Sequence, residues 1–498
     1  MKKTAIIKRI NPFIHRVLEK KLFFLSLFTG VSFSVMSSSK PNVILILTDD
    51  LGYSDISCYR DMFDNQPNRP STSRTPNIDR LADQGMQFTD FYCGAAVCSP
   101  SRSSLMTGRN ATRVGIYNWV PENEPMHLRA EEYTLAEMLK DAGYQTGHFG
   151  KWHLTSMGMN QPLPTDQGFD YAFFTYNNAN PSHRNPENFY RNGQAVGPLE
   201  GYSCQLVVNE AMEWLSRIDK NQTPFYVNLW FNEPHEKVAA PEEFSQHHEY
   251  RKEYYGCIEN MDNAVGRLME YLKKNNLEDN TLVIFSSDNG SQISSSNNPL
   301  RGAKAFNFEG GVRVPFIIKW PGMIPKGNVS SQIGSFTDIL PTLASITGAS
   351  IPSGRTIDGE DISSVFRGSE TFNRTKPVFF FRYFHEPVTM LRQDDWILIG
   401  YHDTPLPWAQ NYDVRKHAKL KPDPGTEEWS MWGFQPRHME YLKTAIPQHF
   451  ELYQIREDIL QKKDVKKEFP EITEKMKKMS LLLRQEMIEE GGDWYKTN

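Results

Sequence analysis

Cysteine is scarce in this chain. Its 498 residues include five cysteines, at positions 58, 93, 98, 204 and 257, and no two of them form a C-x-x-C pair. This spacing argues against a structural zinc site and against a thioredoxin-like redox motif. Because five is an odd number, at least one thiol has no partner within the chain, whereas the other four are free or paired. One cysteine is therefore a candidate for a chemical role.

The chain also lacks a large excess of charge of either sign. It has 55 Lys and Arg against 60 Asp and Glu, a formal net charge of -5 at pH 7. Proteins that bind nucleic acid or anionic membranes through their overall charge are usually strongly basic. We therefore expect no nucleic acid and no anionic membrane surface as a partner, although local Lys and Arg residues can still bind an anionic substrate.

Long apolar runs are missing as well. The longest, at residues 22–36, is shorter than the roughly 20 residues of a membrane-spanning helix. It follows seven Lys and Arg within residues 2–21 and precedes three serines at 37–39. This order is typical of a secretory signal peptide. We predict a signal peptide at residues 1–39, export to a bacterial periplasm or medium, and no stable membrane insertion after cleavage. A short membrane anchor is the alternative.

Strands and helices alternate from residue 41 onward. The continuous apolar run at 43–47 is typical of a strand buried on both faces. Further strands are predicted at 145–149, 225–230, 282–285 and 316–319, and helices at 75–85, 134–143, 205–218 and 254–275. Such alternation predicts an α/β fold with a mostly parallel central sheet flanked by helices.

The pattern changes near residue 370. Short strands are predicted at 378–381, 389–391 and 396–399. A stretch rich in Trp, Pro and His follows at 404–449, and an amphipathic helix at 471–490 comes last. We predict a catalytic domain at 40–369 and a smaller C-terminal α+β subdomain at 370–498.

Polar clusters follow three of the predicted strands, at Asp49-Asp50, at residues 232–235 and at Asp288-Asn289. Ligands of open α/β sheets bind beyond the carboxyl ends of the strands. Three carboxylates and an amide gathered there would suit calcium, which accepts six to eight oxygen ligands in irregular geometry. Each cluster alone is better explained as a helix cap or a turn. Together they favour a metal site.

The segment at residues 98–109 reads C-S-P-S-R-S-S-L-M-T-G-R. From these residues alone, Cys98 is a candidate nucleophile just before a helix N-terminus, where the helix dipole and Arg102 would stabilise negative charge. The alternative is a buried cysteine in a turn, which is the more usual role of a lone cysteine.

The same segment resembles the type I sulfatase signature, in which C-x-P-S-R is followed by T-G-R. Residues 150–153 (G-K-W-H) and 287–290 (S-D-N-G) are similar to two further motifs of that family. The resemblance extends over about residues 41–365. It includes the opening strand at 41–52 and a stretch similar to R-G-x-K…E-G-G…R-V-P at 301–304, 309–311 and 313–315. Residues 451–453 resemble the family's E-L-Y-D-L, but Gln454 replaces the Asp.

The resemblance implies an alkaline-phosphatase-like fold and a sulfuric ester hydrolase whose Cys98 is oxidised to formylglycine. A formylglycine-generating enzyme or an anaerobic sulfatase-maturating enzyme would carry out that oxidation. The metal ligands for Ca²⁺ would be Asp49, Asp50, modified Cys98, Asp288 and Asn289.

The resemblance also implies roles for the cationic side chains. Arg102 and Lys151 would neutralise and orient the formylglycine hydrate, and His153 would be the base that releases sulfate. His235 and Lys304, with Lys151, would bind the sulfate group. His235 would also give a proton to the leaving oxygen.

The expected substrate is a sulfated saccharide, a fragment of a glycosaminoglycan or another polysaccharide. Trp, Tyr and His are abundant in the variable segments and suit sugar faces; His183 and His385 are candidates to face the sugar. One alternative is a phosphodiester or phosphonate hydrolase on the same scaffold, since fold does not fix function. Another is a glycan-binding protein that has lost catalysis.

Overall fold

The computed structural model describes residues 40–63, 73–220, 222–383, 386–402 and 436–496. The predicted signal peptide, His385 and most of the Trp-, Pro- and His-rich stretch lie outside these residues. Across the described ranges, no helix combines the length and the apolar character needed to cross a membrane.

The strands are, in chain order, β1 (Asn42–Thr48), β2 (Met86–Phe88), β3 (Phe91–Tyr92), β4 (Gln145–Lys151), β5 (Tyr171–Thr175), β6 (Tyr190–Arg191), β7 (Gln194–Ala195), β8 (Phe225–Trp230), β9 (Thr281–Ser287), β10 (Phe316–Lys319), β11 (Asn328–Ser330), β12 (Gly334–Ser335), β13 (Val378–Phe381), β14 (Thr389–Gln393), β15 (Trp396–Tyr401) and β16 (His449–Gln454).

The α-helices are α1 (Ser57–Arg60), α2 (Pro76–Asp83), α3 (Cys98–Thr107), α4 (Ala111–Val114), α5 (Leu135–Asp141), α6 (Ser203–Arg217), α7 (Glu242–Ser245), α8 (Lys252–Lys274), α9 (Glu309–Val312), α10 (Ile339–Thr347), α11 (Ser363–Phe366), α12 (Pro436–Thr444) and α13 (Pro470–Gly491). The five predicted helices correspond to α2, α5, α6, α8 and α13, each within two residues at either end.

The centre of the main sheet is parallel. Its strands lie in the order β9-β1-β8-β4-β5, and each neighbouring pair runs in the same direction. All residues of β1 are buried, with Val43, Leu45 and Leu47 on one face and Ile44 and Ile46 on the other. This alternation is expected for a strand covered on both sides. The predicted α/β fold with a parallel central sheet is confirmed.

Towards the edges of the sheet some strand pairs are antiparallel, as the predicted mostly parallel arrangement allows. Strand β10 is antiparallel to β9 and to β2, and β6 and β7 form an antiparallel extension next to β5. A parallel connection requires a crossover over one face of the sheet. The chain between β9 and β10 carries a 3-10 helix (Ser294–Asn297) and the single-turn α9, with no long crossover helix, and β10 pairs antiparallel with β9. The sheet is therefore mixed at its borders.

Helices cover both faces of the sheet. On one face, α2, α6 and α8 bury Ile78, Val208 and Ile258 in one apolar cluster. On the other, α3, α5 and α10 bury Leu105, Leu139 and Leu343 in a second cluster. The carboxyl ends of the parallel strands carry the candidate site.

The C-terminal part forms a smaller antiparallel sheet, β13-β14-β15-β16. Helix α13 packs on it through Met476 and Met487, against Phe379 and Leu398. The sequence predicted the first three strands but not β16. The position of the boundary near residue 370 stays a prediction.

Candidate active site

Asp49 and Asp50 leave the end of β1 together. Asp50 has a φ of 66°, in the left-handed region, so the chain turns sharply at the point where the strand stops. Aspartate tolerates this conformation better than most residues. The turn brings both carboxylates to one side, with Oδ1 of Asp49 3.4 Å and Oδ1 of Asp50 4.0 Å from Cys98 Sγ.

Asp288 and Asn289 reach the same place from the neighbouring strand β9. The backbone N–H of Asp50 donates to Asp288 Oδ1 at 3.2 Å, and Asn289 Nδ2 donates to Asp50 Oδ1 at 2.7 Å. One ligand atom from each of Asp49, Asp50, Cys98 and Asp288 lies within 4.8 Å of all the others. The strand ends therefore form one cluster of oxygen donors around residue 98.

Cys98 is the first residue of α3, every residue of which is buried. Arg102 lies one turn later on the same face of this helix. Its Nε and one terminal nitrogen donate to Asp288 Oδ2 at 3.0 and 2.8 Å, and its other terminal nitrogen donates to the Lys151 carbonyl at 2.9 Å. The Trp230 ring lies 5.0 Å below the guanidinium. Arg102 is thus fixed beside residue 98.

Lys151 ends β4 and points into the cluster. Its Nζ lies 2.6 Å from Asp49 Oδ2, 3.8 Å from Cys98 Sγ and 2.7 Å from Asn178 Oδ1. The preceding Gly150 has a φ of 105°, and a Cβ there would lie 1.8 Å from the Trp230 carbonyl oxygen. Only glycine fits this close approach. It is the physical reason for the glycine in G-K-W-H.

His153 has a fixed ring orientation. Its Nε2 lies 3.2 Å from the Val120 carbonyl, which can only accept, so Nε2 carries the hydrogen. Nδ1 is buried and has no hydrogen-bond partner among the described residues. In this tautomer Nδ1 holds a lone pair. The ring is therefore prepared to accept a proton at Nδ1.

Lys304 and His235 lie at the outer side of the cluster. Lys304 Nζ donates to Asp50 Oδ2 at 2.7 Å, and His235 Nε2 lies 3.5 Å from the same oxygen. The exposed fractions of their side chains are 13% and 14%, whereas Arg102 and Lys151 are fully buried. An anion that enters from solvent would meet these two side chains first.

Burial and charge shift the pKa values of the cluster. Burial opposes ionisation of Asp49, but the positive charges around it, Lys151 foremost, lower its pKa well below the usual range. Burial raises the pKa of Asp288 to about 7, although Arg102 favours its ionised form.

Burial and the neighbouring Lys304 lower the pKa of His235 to about 4, and burial raises the pKa of the Cys98 thiol. Three buried carboxylates this close favour additional positive charge.

The donor set fits a hard metal ion. Asn289 Oδ1 is a buried oxygen with no hydrogen-bond partner in the described part of the chain, and it lies on the residue that contacts Asp50. Carboxylate and amide oxygens are the ligands that calcium and magnesium prefer, and sites with more oxygens and irregular geometry favour calcium. Asp49, Asp50, Asp288 and Asn289 would hold such an ion together with residue 98.

The structure brings together the ten residues predicted for the catalytic and metal site: Asp49, Asp50, Cys98, Arg102, Lys151, His153, His235, Asp288, Asn289 and Lys304. His183 is different, because it is fully buried, with Nδ1 3.5 Å from Cys257 Sγ. The suggestion that it faces the sugar is wrong. No disulfide links the five cysteines, all of which lie in described residues.

Two contacting residues were missed. Asn178 binds Lys151, and Gln292 Nε2 donates to Asp50 Oδ2 at 3.3 Å. Asn178 follows the carboxyl end of β5, so the strand-end rule that selected the aspartates could have found it. Gln292 lies just after the S-D-N-G motif, where the sequence carries no such signal.

Comparison with known proteins agrees with this geometry. The sulfatase family model matches residues 41–349, and the model of the C-terminal part of N-sulphoglucosamine sulphohydrolase matches 303–421. The dog (Canis lupus familiaris) N-acetylgalactosamine-6-sulfatase is 35% identical over 69% of this chain and 68% of its own length. Bovine (Bos taurus) arylsulfatase A is 34% identical over 67% of this chain and 69% of its own length.

A solved structure has the same fold. Ps i-CgsB in complex with k-i-k-neocarrahexaose superposes with a TM-score of 0.71 and 27% identity, over 89% of this chain and 93% of the other. The predicted resemblance and the alkaline-phosphatase-like fold are confirmed. On this evidence the chain belongs to the sulfatase family and is a sulfuric ester hydrolase.

Proposed function

We propose that this enzyme hydrolyses sulfate esters of a carbohydrate, with a calcium ion and a formylglycine formed from Cys98. The observation that carries the proposal is the position of Cys98 Sγ among the carboxylates of Asp49, Asp50 and Asp288, all within 4.8 Å. A nucleophile placed in a metal-binding cluster is suited to attack an anionic ester.

Formylglycine suits this position better than the thiol. A thiolate is a soft ligand, whereas the surrounding oxygens select a hard ion. Burial also raises the pKa of the Cys98 thiol, so little thiolate would form at neutral pH. The hydrated aldehyde of formylglycine would offer oxygen atoms instead. The oxidation would be carried out by a formylglycine-generating or anaerobic sulfatase-maturating enzyme.

When bound, calcium would supply the positive charge that favours an ionised hydroxyl at residue 98 and the sulfate oxygens. The chain's own cations add to this charge. Arg102 and Lys151 flank residue 98 from the buried side, and Lys304 and His235 face it from the solvent side. Fixed donors of this kind are in place before the reaction and need no reorganisation.

The proposed reaction has two steps. One hydroxyl of residue 98, already ionised by loss of its proton to solvent, attacks sulfur, the bond between sulfur and the ester oxygen breaks, and that oxygen takes a proton from His235. His153 Nδ1 then accepts the proton of the second hydroxyl, the aldehyde reforms, and sulfate leaves. Water restores the hydrate. The lone pair at His153 Nδ1, set by the Val120 carbonyl, supports the second step.

The geometry supports proton donation by His235, provided that its ring is protonated when the substrate is bound. Its Nδ1 lies 2.9 Å from the Glu236 carbonyl, which leaves Nε2 directed towards Asp50 and the site. Burial and Lys304 lower its pKa, so the proton must be gained as the anionic substrate binds. An anion nearby raises the pKa of a histidine. Lys304, on the same Asp50 oxygen, would bind the sulfate.

The proposed substrate is a sulfated galactose- or N-acetylgalactosamine-type sugar at a chain end. The support is the name of the dog relative, an N-acetylgalactosamine-6-sulfatase, and the neocarrahexaose bound to Ps i-CgsB.

We also propose that residues 1–39 are a signal peptide and that the mature enzyme is periplasmic or secreted. In the mature chain a catalytic domain (40–369) would precede the C-terminal subdomain (370–498).

Three measurements test the proposal. Mass spectrometry of the tryptic peptide with residue 98 should show formylglycine, and Cys98→Ala should abolish activity without a change in fold. The enzyme should release sulfate from defined sulfated galactose and N-acetylgalactosamine derivatives. An active enzyme with an unmodified thiol would refute the formylglycine. Much faster cleavage of a matched phosphodiester or phosphonate would support the other hydrolase, and activity on aryl sulfates alone would exclude the carbohydrate.

A further inference from the structure

The last residues of α13 and the segment that follows, residues 490–495 (the C-terminal tail), dock on a loop far away in sequence. That loop, residues 115–129, lies between α4 and α5 and has no regular secondary structure. Trp494 Nε1 donates to the Gly115 carbonyl at 2.6 Å, and the Tyr495 hydroxyl donates to Glu124 Oε2 at 2.9 Å. The tail therefore contacts the loop at two separate points.

Further contacts show that the two segments are fitted to each other. The Tyr117 hydroxyl donates to the Gly492 carbonyl at 2.7 Å, and the Arg129 guanidinium lies 4.4 Å over the Trp494 ring. A Cβ on Gly115 would lie 2.4 Å from the Gly491 carbonyl oxygen. The backbones approach so closely that only glycine fits at this point.

The inner side of the same loop contacts the active site. The Val120 carbonyl accepts from His153 Nε2 at 3.2 Å, and the Trp119 ring lies 6.3 Å from the His153 ring. The Val120 N–H donates to Ser99 Oγ at 2.9 Å, next to residue 98. The loop has no hydrogen-bond ladder of its own, so its position depends on these contacts together with its hydrogen bonds to residues 154–157.

We propose that Trp494 and Tyr495 are positioning residues of the sulfatase reaction, which hold the 115–129 loop so that Val120 keeps His153 oriented. The inference rests on the proposed function, in which His153 releases sulfate from residue 98. Catalytic groups must be held to well within 1 Å of their working positions, so a small shift of the loop is enough to slow that step. Substrate binding, which uses Lys304 and His235, would be unaffected.

A double-mutant cycle tests this in the full chain. Trp494→Phe removes the N–H that Gly115 accepts but keeps an aromatic ring, and Tyr495→Phe removes the hydroxyl that Glu124 accepts. His153→Asn removes the base, and asparagine tolerates the φ of 56° at this position. Leu482→Ala is the matched control, since Leu482 is 57% exposed on α13.

The expected result is a fall in kcat of about tenfold for Trp494→Phe, less for Tyr495→Phe, with KM within about twofold. Trp494→Phe combined with His153→Asn should be no slower than His153→Asn alone, because both act through one residue. When the reaction is quenched during turnover, a larger fraction of Trp494→Phe than of Leu482→Ala should carry a sulfuryl group on residue 98.

Three results would overturn the inference: an unchanged kcat in both tail variants, a rise in KM alone, or losses that multiply in the double variant. The last would show that the tail acts on the fold and not through His153. A His153→Asn variant with wild-type kcat would instead contradict the proposed role of His153 itself, and the two failures are thus distinguishable.

Discussion

Lys151 Nζ lies 2.6 Å from Asp49 Oδ2, and both side chains are fully buried. A buried ion pair that loses one partner leaves an uncompensated charge, at a cost of about 3–5 kcal/mol. Lys151 also contacts Cys98 and Asn178, so it links the carboxylate cluster to the loop after β5.

Lys151→Ala is therefore expected to lose about 3 kcal/mol of stability and to lower kcat by about 100-fold or more. Urea unfolding and steady-state kinetics measure the two effects. Lys140→Ala is the control, because the exposed Lys140 pairs with the exposed Asp170 at 2.7 Å and such pairs contribute about 1 kcal/mol or less. Equal effects of the two variants would contradict this account.

Calcium should stabilise the protein as well as activate it. Three buried carboxylates repel one another, and a bound cation relieves that repulsion. Free ligand at 100 times its Kd adds about 2.7 kcal/mol of stability. Thermal unfolding should show a higher Tm with calcium than with a chelator, and activity should disappear and return in parallel. Asp288→Asn should lose this calcium response. A chelated enzyme of full activity would refute the metal site.

Gly150→Ala should unfold the protein or lower its stability by several kcal/mol, because the new Cβ would lie 1.8 Å from the Trp230 carbonyl oxygen. The control is Gly143→Ala. Gly143 also has a positive φ, of 88°, but a Cβ there would meet no described atom within 4 Å. That variant should lose only about 1 kcal/mol of stability, because alanine is strained at a positive φ. Soluble yield and urea unfolding compare them, and similar losses would contradict the steric argument.

Stability should fall in acid partly because of His148. Burial lowers the pKa of this histidine to about 3, below its unfolded value near 6.5. Below about pH 6.5 the unfolded chain therefore binds a proton at His148 that the folded chain does not bind. The free energy of unfolding falls as the pH falls through this range. Between pH 6.5 and 5 the loss is about 2 kcal/mol. In His148→Asn, unfolding free energies at pH 7 and 5 should differ less than in the wild type. An unchanged difference would exclude His148 as the cause.

The sequence predicted the centre of the molecule well because its signals there are local. The run at 43–47 is apolar on both faces, and Asp49-Asp50 follows it directly, so burial and the strand-end rule pointed to the same edge. The turn at Asp50, with its positive φ, could not be derived from the residues, since Asp-Asp is equally common in ordinary turns.

The parts that were missed depend on distant partners. Strand β10 has an apolar pattern that suits either direction, and its antiparallel pairing with β9 depends on the path of residues 288–315 between them. Strand β16 pairs with β15 across a long insertion, which no local pattern reveals. The contact of Trp494 with Gly115 joins residues that are 379 positions apart in the chain. Long-range pairings of this kind leave no periodic signal.

Each carboxylate of the cluster has its own cation: Asp49 pairs with Lys151, Asp50 with Lys304 and Asp288 with Arg102. These charges balance, so a divalent ion would leave the pocket with two positive charges, or with one while a hydroxyl of residue 98 is ionised. A sulfate ester carries one negative charge and inorganic sulfate carries two. By Coulomb attraction the product would be held more strongly than the substrate. Accumulated sulfate should accordingly act as a competitive inhibitor, and turnover at low ionic strength should be limited by the departure of that anion.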